Sequence, residues 1–482
     1  MKKMHRILLA AMLLTAASAS LPATGAERTM KVTDNYLWMP VSHKFDRARM
    51  TISIPGREDM PVNVRIPRDG VPEYYTFLYV EPVKGKKITI TYPDDLKGMD
   101  LIKFAPDIPD ADKIYHEPNR PQLHFTTRRG WINDPNGLVY YQGYYHIFYQ
   151  HAPDYEIPWQ QPMHWGHART KDFLNWEELP VALFPDQAYD KNGCWSGTAI
   201  VKDDTLYLFY ASILDLPEGG NIQSVSVAYS TDGIHFEKYE GNPVIDRYPA
   251  DGCPDFRDPA LCCIDGVYYC VMASGHTESR TGRLLLYRSE DLFHWEYSGI
   301  MSEWAESRFT ECPSFMQAED GLFMLTASVC PLEKRHYFSV MYGEFKDGVF
   351  SIRSSAEVDK GPDQYAGQAF RDHLGRNILI SWVPGWEYSG FVKGHDVGCM
   401  SVPRELKITD GVITAYPVEE LQYLLKDEDD AVKRTESGFV IEREGRAPVV
   451  YEGEINDLKI LRDGYIVEVY VNGGREVYTA LL

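Results

Sequence analysis

No cysteine precedes Cys194 in this 482-residue chain. The eight that occur, at 194, 253, 262, 263, 270, 312, 330 and 399, form no CxxC pair and are not interleaved with histidines. That pattern excludes a zinc ribbon or finger, and it excludes a lipid-modified cysteine near the N-terminus. No glycine-rich phosphate loop and no Ser-His-Asp arrangement is evident. His164 and His167, which flank Trp165-Gly166, have no third ligand in register, so a structural role is expected and no metal or other cofactor is implied. Positive charge is scarce: 49 Lys and Arg stand against 70 Asp and Glu, a formal net charge of −21. Nucleic acid or an anionic membrane would be repelled, whereas a neutral sugar would not.

What is present is aromatic. Hydrophobic residues make up 44% of the chain, with 32 Tyr, 20 Phe and 10 Trp, which suits an all-β protein and argues against disorder. The length implies two or three domains. Lys2, Lys3 and Arg6 precede an apolar run from Ile7 to Ala19, too short to span a bilayer and followed by small residues. Residues 1–26 therefore read as an export signal, with cleavage after Ala19 or Ala26. The mature protein is expected to be periplasmic or extracellular, with no membrane span. Cys262, Cys263 and Cys270 lie in strand-like runs and read as structural thiols.

Strand-like alternation over 30–115 (Met50–Ile54, Val62–Ile66, Tyr75–Tyr79, Ile88–Tyr92), punctuated by Pro and Gly, predicts an N-terminal β-sandwich-like module. From 120 to 408 a unit recurs at roughly fifty to sixty residues, the range of propeller blades with insertions. The clearest units have an inner strand, a hairpin, and an outer strand ending in a Ser/Thr-x-Asp-like turn and an aromatic: Asp172 with Trp176, Asp232 with Phe236, Asp291 with Trp295. A lone hairpin sheet cannot bury both faces, so five such units predict a five-bladed β-propeller. Glu419–Leu425 reads as a short helix, and 415–482 as an abbreviated C-terminal β-sandwich module packed on the propeller's side.

Blade geometry would carry Asp134, Asp258 and Glu311, each at a blade opening, into one funnel. Converging carboxylates are the equipment of a glycoside hydrolase. The motifs Trp131-Ile-Asn-Asp-Pro-Asn-Gly137, Phe148-Tyr-Gln150, Trp195-Ser-Gly197, Arg257-Asp-Pro259, Glu311-Cys312, Tyr365-Ala-Gly-Gln368 and Val402-Pro-Arg-Glu-Leu406 occur in that order. Together they resemble glycoside hydrolase family 32, the invertases, inulinases, levanases and fructan exohydrolases. The extra N-terminal module is similar to appendages of Bacteroidota-like secreted members. The resemblance implies a five-bladed propeller backed by a β-sandwich. It also implies Asp134 as nucleophile, Glu311 as acid/base, and Asp258 as transition-state stabiliser, with Arg257 orienting the ring. Asn133, Gln150, Trp159, Trp195 and Ser196 would hold or flank the terminal fructose. A retaining route needs the two carboxyls roughly 5–5.5 Å apart, and it needs a protonated acid, so neighbouring charge is expected to raise the pKa of Glu311. Asp363-Gln364-Tyr365 departs from the family's usual lead and is expected to alter an acceptor wall.

The implied activity is release of terminal β-D-fructosyl units from levan, inulin or sucrose-like oligosaccharides through a covalent fructosyl-enzyme. An endo-acting levanase, a fructosyltransferase and a non-catalytic fructan-binding protein remain open alternatives, with linkage preference and oligomeric state unread.

Overall fold

The computed structural model describes residues 25–116, 120–152, 162–318, 321–385 and 396–482. Most of the expected export signal lies outside these residues, and so does Trp159. Among the described residues no helix is long and apolar enough to cross a membrane.

The chain is all-β, a five-bladed propeller carrying a β-module at each end. Alternation decides the N-terminal module. Ala48, Met50 and Ile52 on strand 48–53, Met60, Val62 and Val64 on 60–64, and Ile88 and Ile90 on 87–92 all point inward. One sheet runs in the order 26–31, 87–92, 48–53, 60–64. The facing sheet is 74–79, 36–41, 103–105, and Leu37, Met39 and Val41 close the core between them. The sequence reading missed strand 36–41 because Pro40 interrupts it, and strand 26–31 because its residues are only half-buried. The module docks on the propeller through Asp186, whose carbonyl accepts the Glu58 N–H at 3.0 Å and whose carboxylate pairs with Arg57 at 3.4 Å.

Each blade is an antiparallel sheet of successive strands. The innermost are 130–141, 193–202, 257–264, 307–317 and 365–371. Each packs on the next, and the fifth packs on the first, which closes the ring. Residues 396–397 then add a parallel edge to blade one, pairing Asp396 with Gly130 and Val397 with Trp131. Two corrections to the three-strand unit follow. The aromatics after the Ser/Thr-x-Asp turns open a fourth, outermost strand in blade one (Trp176–Leu183) or sit just before one in blades two and three (Glu237–Lys238, Glu296–Ala305). The fifth blade is completed by Val412–Pro417, beyond residue 408. These outer strands are half-exposed, so hydrophobic alternation marks them weakly.

The turns themselves are built as the pattern implies. Asp172, Asp232 and Asp291 each accept two backbone N–H groups two and three residues ahead.

Behind blade five, Glu419–Leu424 forms a 3-10 turn leading to two three-stranded sheets, 432–434/438–441/449–452 and 458–463/466–471/476–481. Val467, Val469 and Val471 face the first of these sheets, while Glu468 and Tyr470 face the propeller. There the buried Arg404 pairs with Asp359 at 2.6 Å and Glu468 at 3.1 Å. His124 bridges Asp463 at 2.9 Å and Glu468 at 3.2 Å. Arg404 belongs to the Val402–Leu406 motif, so that motif fastens the C-terminal module. Asp363 is likewise drawn away from any sugar: it pairs with Arg443 and Arg446 and accepts the Leu481 N–H. The departing residue, Gln364, is buried and donates to Ser381 Oγ at 2.6 Å, and of that triplet Tyr365 alone lines the pocket described next.

Candidate active site

Strict strand alternation would send adjacent side chains to opposite faces. The inner strands break that rule at one level. Their pairing with the second strand slips by one residue between Ile132 and Pro135, Trp195 and Gly197, Arg257 and Ala260, Glu311 and Ser314, and Tyr365 and Gln368. A β-bulge re-aims side chains, and here it turns the adjacent pairs Asn133/Asp134, Trp195/Ser196 and Arg257/Asp258 into one axial pocket. In blades three to five the second bulge residue, Asp258, Cys312 and Ala366, has φ of 55°, 45° and 51°. This left-handed backbone is strained for any residue but glycine, mildly so for Asp. Glu311 therefore occupies the place of Arg257 in the repeat, and Cys312 that of Asp258. At Gly197 the close approach admits no side chain, since a Cβ would lie 1.9 Å from the Phe209 carbonyl oxygen.

The pocket holds about 210 Å³ and is lined by Asn133, Asp134, Gln150, Met163, Trp195, Ser196, Asp255, Arg257, Asp258, Glu311 and Tyr365. Every described residue expected at the site is among them. Asp134 accepts hydrogen bonds from Ser196 Oγ at 2.7 Å and Asn133 Nδ2 at 2.9 Å. Trp131 Nε1 donates to Asn133 Oδ1 at 2.7 Å, fixing which way that amide faces. Gln150 Nε2 donates to the Cys194 carbonyl at 3.1 Å, and Trp195 presents its ring 5.9 Å from the Arg257 guanidinium. Cys312 donates its backbone N–H to Asp258 Oδ2 at 2.9 Å, and its Sγ lies 3.5 Å from Asp134 and 3.7 Å from Asp258. That single residue gauges the spacing of the two aspartates.

Glu311 is held from three sides. Arg257 Nη2 donates to Oε1 at 2.9 Å, Tyr365 Oη to Oε2 at 2.6 Å, and Cys330 Sγ to Oε2 at 3.3 Å. Arg257 is also paired with Asp255 at 2.8 Å. Sequence reasoning missed Asp255, Met163 and Cys330. Asp255 stands two residues ahead of Arg257, a spacing that could have signalled it; nothing in the sequence marks the other two.

The electrostatics correct one expectation. Burial pushes the Glu311 carboxyl up, but Arg257, Tyr365 and Cys330 outweigh it and hold the group below the usual glutamate value. The raised groups are the aspartates. Burial, only partly offset by Arg257 and reinforced by the charges of Glu311 and Asp134, lifts Asp258 to about 7. Burial also lifts Asp134, against the hydrogen bond from Ser196. Of the three carboxyls, Asp258 is thus the one held toward its protonated form and Glu311 the one held toward its ionised form. Burial drives both His164 and His167 well below the ordinary histidine value, so they are neutral, and His167 Nε2 lies 2.9 Å from His146 Nδ1. Among the described residues no group of three or more His, Cys, Asp or Glu could hold a metal ion, and all eight cysteines are free thiols.

Residues 124–417 match the glycosyl hydrolases family 32 N-terminal domain. The chain belongs to glycoside hydrolase family 32. Among its relatives, a sucrose-6-phosphate hydrolase of Escherichia coli is 34% identical over 343 residues, covering 68% of this chain and 70% of that protein. A levanase of Bacillus subtilis is 34% identical over 365 residues, covering 66% of this chain but only 50% of the levanase. Among solved structures, the family 32 β-fructofuranosidase of Bombyx mori superposes with a TM-score of 0.66 at 28% identity, over 77% of this chain and 91% of that one. This family 32 member is a glycoside hydrolase.

Proposed function

We propose that the chain is a retaining, exo-acting β-fructofuranosidase that removes terminal fructosyl units from unphosphorylated fructans and sucrose-like oligosaccharides. The observation that carries this reading is the carboxylate trio of Asp134, Asp258 and Glu311 in a small axial pocket. At about 210 Å³ the pocket lies below the common range for drug-sized ligands, which suits one sugar ring at a chain end. Levanase activity in one relative supports a fructan as polymer. The name of the Escherichia coli relative raises the phosphorylated alternative. Against it, Arg257 is the sole cation among the described lining residues, and both its ends are engaged by Asp255 and Glu311. Four lining carboxylates facing one occupied guanidinium disfavour a phosphate.

In the first step Asp134 attacks the anomeric carbon, the glycosidic C–O bond breaks, and Glu311 gives its proton to the leaving oxygen. In the second, water attacks the same carbon, Glu311 takes back a proton, and Asp134 leaves as carboxylate. Hydroxyls of the bound fructosyl ring donate to Asp258, favour its ionised form, and so release its proton to Glu311. Arg257 steadies the charge on Glu311 between the two steps. Export through residues 1–26 is part of the proposal and rests on the basic start and apolar run alone.

Incubation with levan, inulin and sucrose, with products resolved over time, tests it. Fructose from the outset is expected, and Asp134→Asn or Glu311→Gln should lower kcat by roughly three orders of magnitude or more with the fold intact. Early oligosaccharides would replace exo-action with endo-action, oligosaccharide growth at high sucrose would point to transfer, and near-wild-type rates in either variant would remove the mechanism.

A further inference from the structure

On the flank of the propeller, between the outer strands of blades one and two and bordered by the N-terminal module, lies a groove of about 570 Å³, larger than the axial pocket. Five half-buried rings line it: Tyr79, Phe184, Tyr189, Phe236 and Tyr239. Each is held by a second group. Tyr79 and Phe184, from different modules, stack at 18°. Phe236 meets Phe148 edge-on at 5.5 Å, and Tyr239 lies 4.5 Å from Phe293. Tyr189 Oη accepts a hydrogen bond from Asn242 at 3.0 Å. Rings fixed in this way lose little freedom when a ligand stacks on them.

The charges select the ligand further. Lys238 is buried against Asp186 at 2.7 Å and Asp190 at 2.6 Å, and Arg57 is taken by Asp186 and the Phe184 face. Glu237 and Glu240 stand exposed at the rim. Both lining ammonium and guanidinium groups are thus neutralised, while carboxylates and tyrosine hydroxyls remain to accept and donate. Ring faces interleaved with neutral or acidic hydrogen-bonding groups suit an uncharged polyhydroxylated chain and disfavour an anion.

We infer that this groove is a second carbohydrate-binding site, taking a run of internal fructosyl units of the polymer whose end enters the axial pocket. The inference rests on the fructan reading above. Continuity along the backbone supports it. The segment that supplies Phe184, Asp186 and Tyr189 to the groove runs directly into Trp195 and Ser196 of the pocket. Trp195 lies six positions after Tyr189, which at full extension is no more than about 22 Å. A polymer can bridge that gap, and a disaccharide cannot. Holding the remote part of a chain raises the local concentration of its end at the pocket.

The test uses the full chain carrying Tyr189→Ala with Tyr239→Ala. A second pair, Tyr189→Leu with Tyr239→Leu, keeps the bulk but removes the ring faces, should the alanines disturb folding. KM for levan or inulin is expected to rise roughly fivefold with kcat unchanged, while both constants for sucrose stay within about twofold of wild type. In an Asp134→Asn background, retardation of the protein in gels containing levan or inulin should fall by a similar factor. Equal loss on sucrose and polymer, or unchanged retardation in the leucine pair, would overturn the site. Because retardation needs no turnover, it separates failure of this site from failure of the fructosidase reading, which would instead appear as wild-type protein that cleaves none of the three sugars.

Discussion

At Asp258 burial opposes ionisation, Arg257 favours it, and the neighbouring carboxylates tip the balance to a pKa of about 7. A carboxyl raised in the fold binds more protons folded than unfolded. Its contribution to stability is therefore fully present below the usual aspartate value of 3.8 and is lost as pH rises through about 7. Asp258→Asn, whose residue type also tolerates the left-handed backbone, should abolish turnover yet stabilise the protein at pH 8 by up to ~4 kcal/mol, the ceiling for a three-unit shift. Urea melts at pH 4 and pH 8 check the sign; a gain at pH 4 alone would contradict it. Cys330 poses a subtler case. Its thiol, kept protonated by burial and by Glu311, donates to the Glu311 carboxylate and so helps hold that group low. Cys330→Ala should move the alkaline limb of the kcat profile upward by roughly half a pH unit, and Cys330→Ser should restore it. Asp134, Asp258 and Glu311 were legible because short motifs surround them. Cys330 was not, because it arrives from a second strand, opposite Phe309, by register alone.

Among the strands, buried inner and middle ones announce themselves by apolar runs, as in Phe323–Pro331 and Asn377–Val383. Outer strands such as Val349–Glu357, largely exposed, do not. The bulges were wholly hidden, since a one-residue slip leaves composition untouched while deciding which side chains meet. Gly197 gives the bulge a direct test. Gly197→Ala would drive a Cβ into the Phe209 carbonyl, and the strand must move to relieve it. We expect a loss of about 2 kcal/mol or more in thermal or urea melts. A fall in kcat should accompany it, because Ser196, the neighbouring bulge residue, donates to Asp134. A stable variant with displaced activity would show that aim, and not rigidity, is the bulge's contribution.

At the scale of the molecule, propeller and C-terminal module share buried charge. Burial pulls His124 down, but Asp463 and Glu468 raise it to about 9. Burial raises Asp463 and Glu468 in turn, but His124 brings Asp463, and Arg404 with His124 brings Glu468, to about 2. The histidine's contribution is present below its usual 6.5 and lost through about 9. The carboxylates' contribution is present above their usual values near 4 and lost as pH falls through about 2. The clamp is strongest between those limits. Glu468→Gln, which strands Arg404 and His124 without one shared charge, should cost about 3 kcal/mol or more near pH 5.5 and progressively less as pH rises from 6.5 through about 9. Melting curves across pH measure it directly; a pH-independent cost would mean lost packing. None of this was readable from sequence, where His124 opens the family match, Glu468 lies some fifty residues beyond its end, and neither carries a motif.

The ring has a further consequence for the order in which the protein comes into being. The ribosome delivers Asp134 early, yet the wall around it is closed by residues 396–397 pairing beside Trp131, and the seam is fastened only when Asp463 and Glu468 reach His124. A chain interrupted before that point carries all three carboxylates but lacks the Asp463 and Glu468 contacts to His124. The strand that bears Asp134 is thus made long before strands 458–463 and 466–471, which fasten its seam.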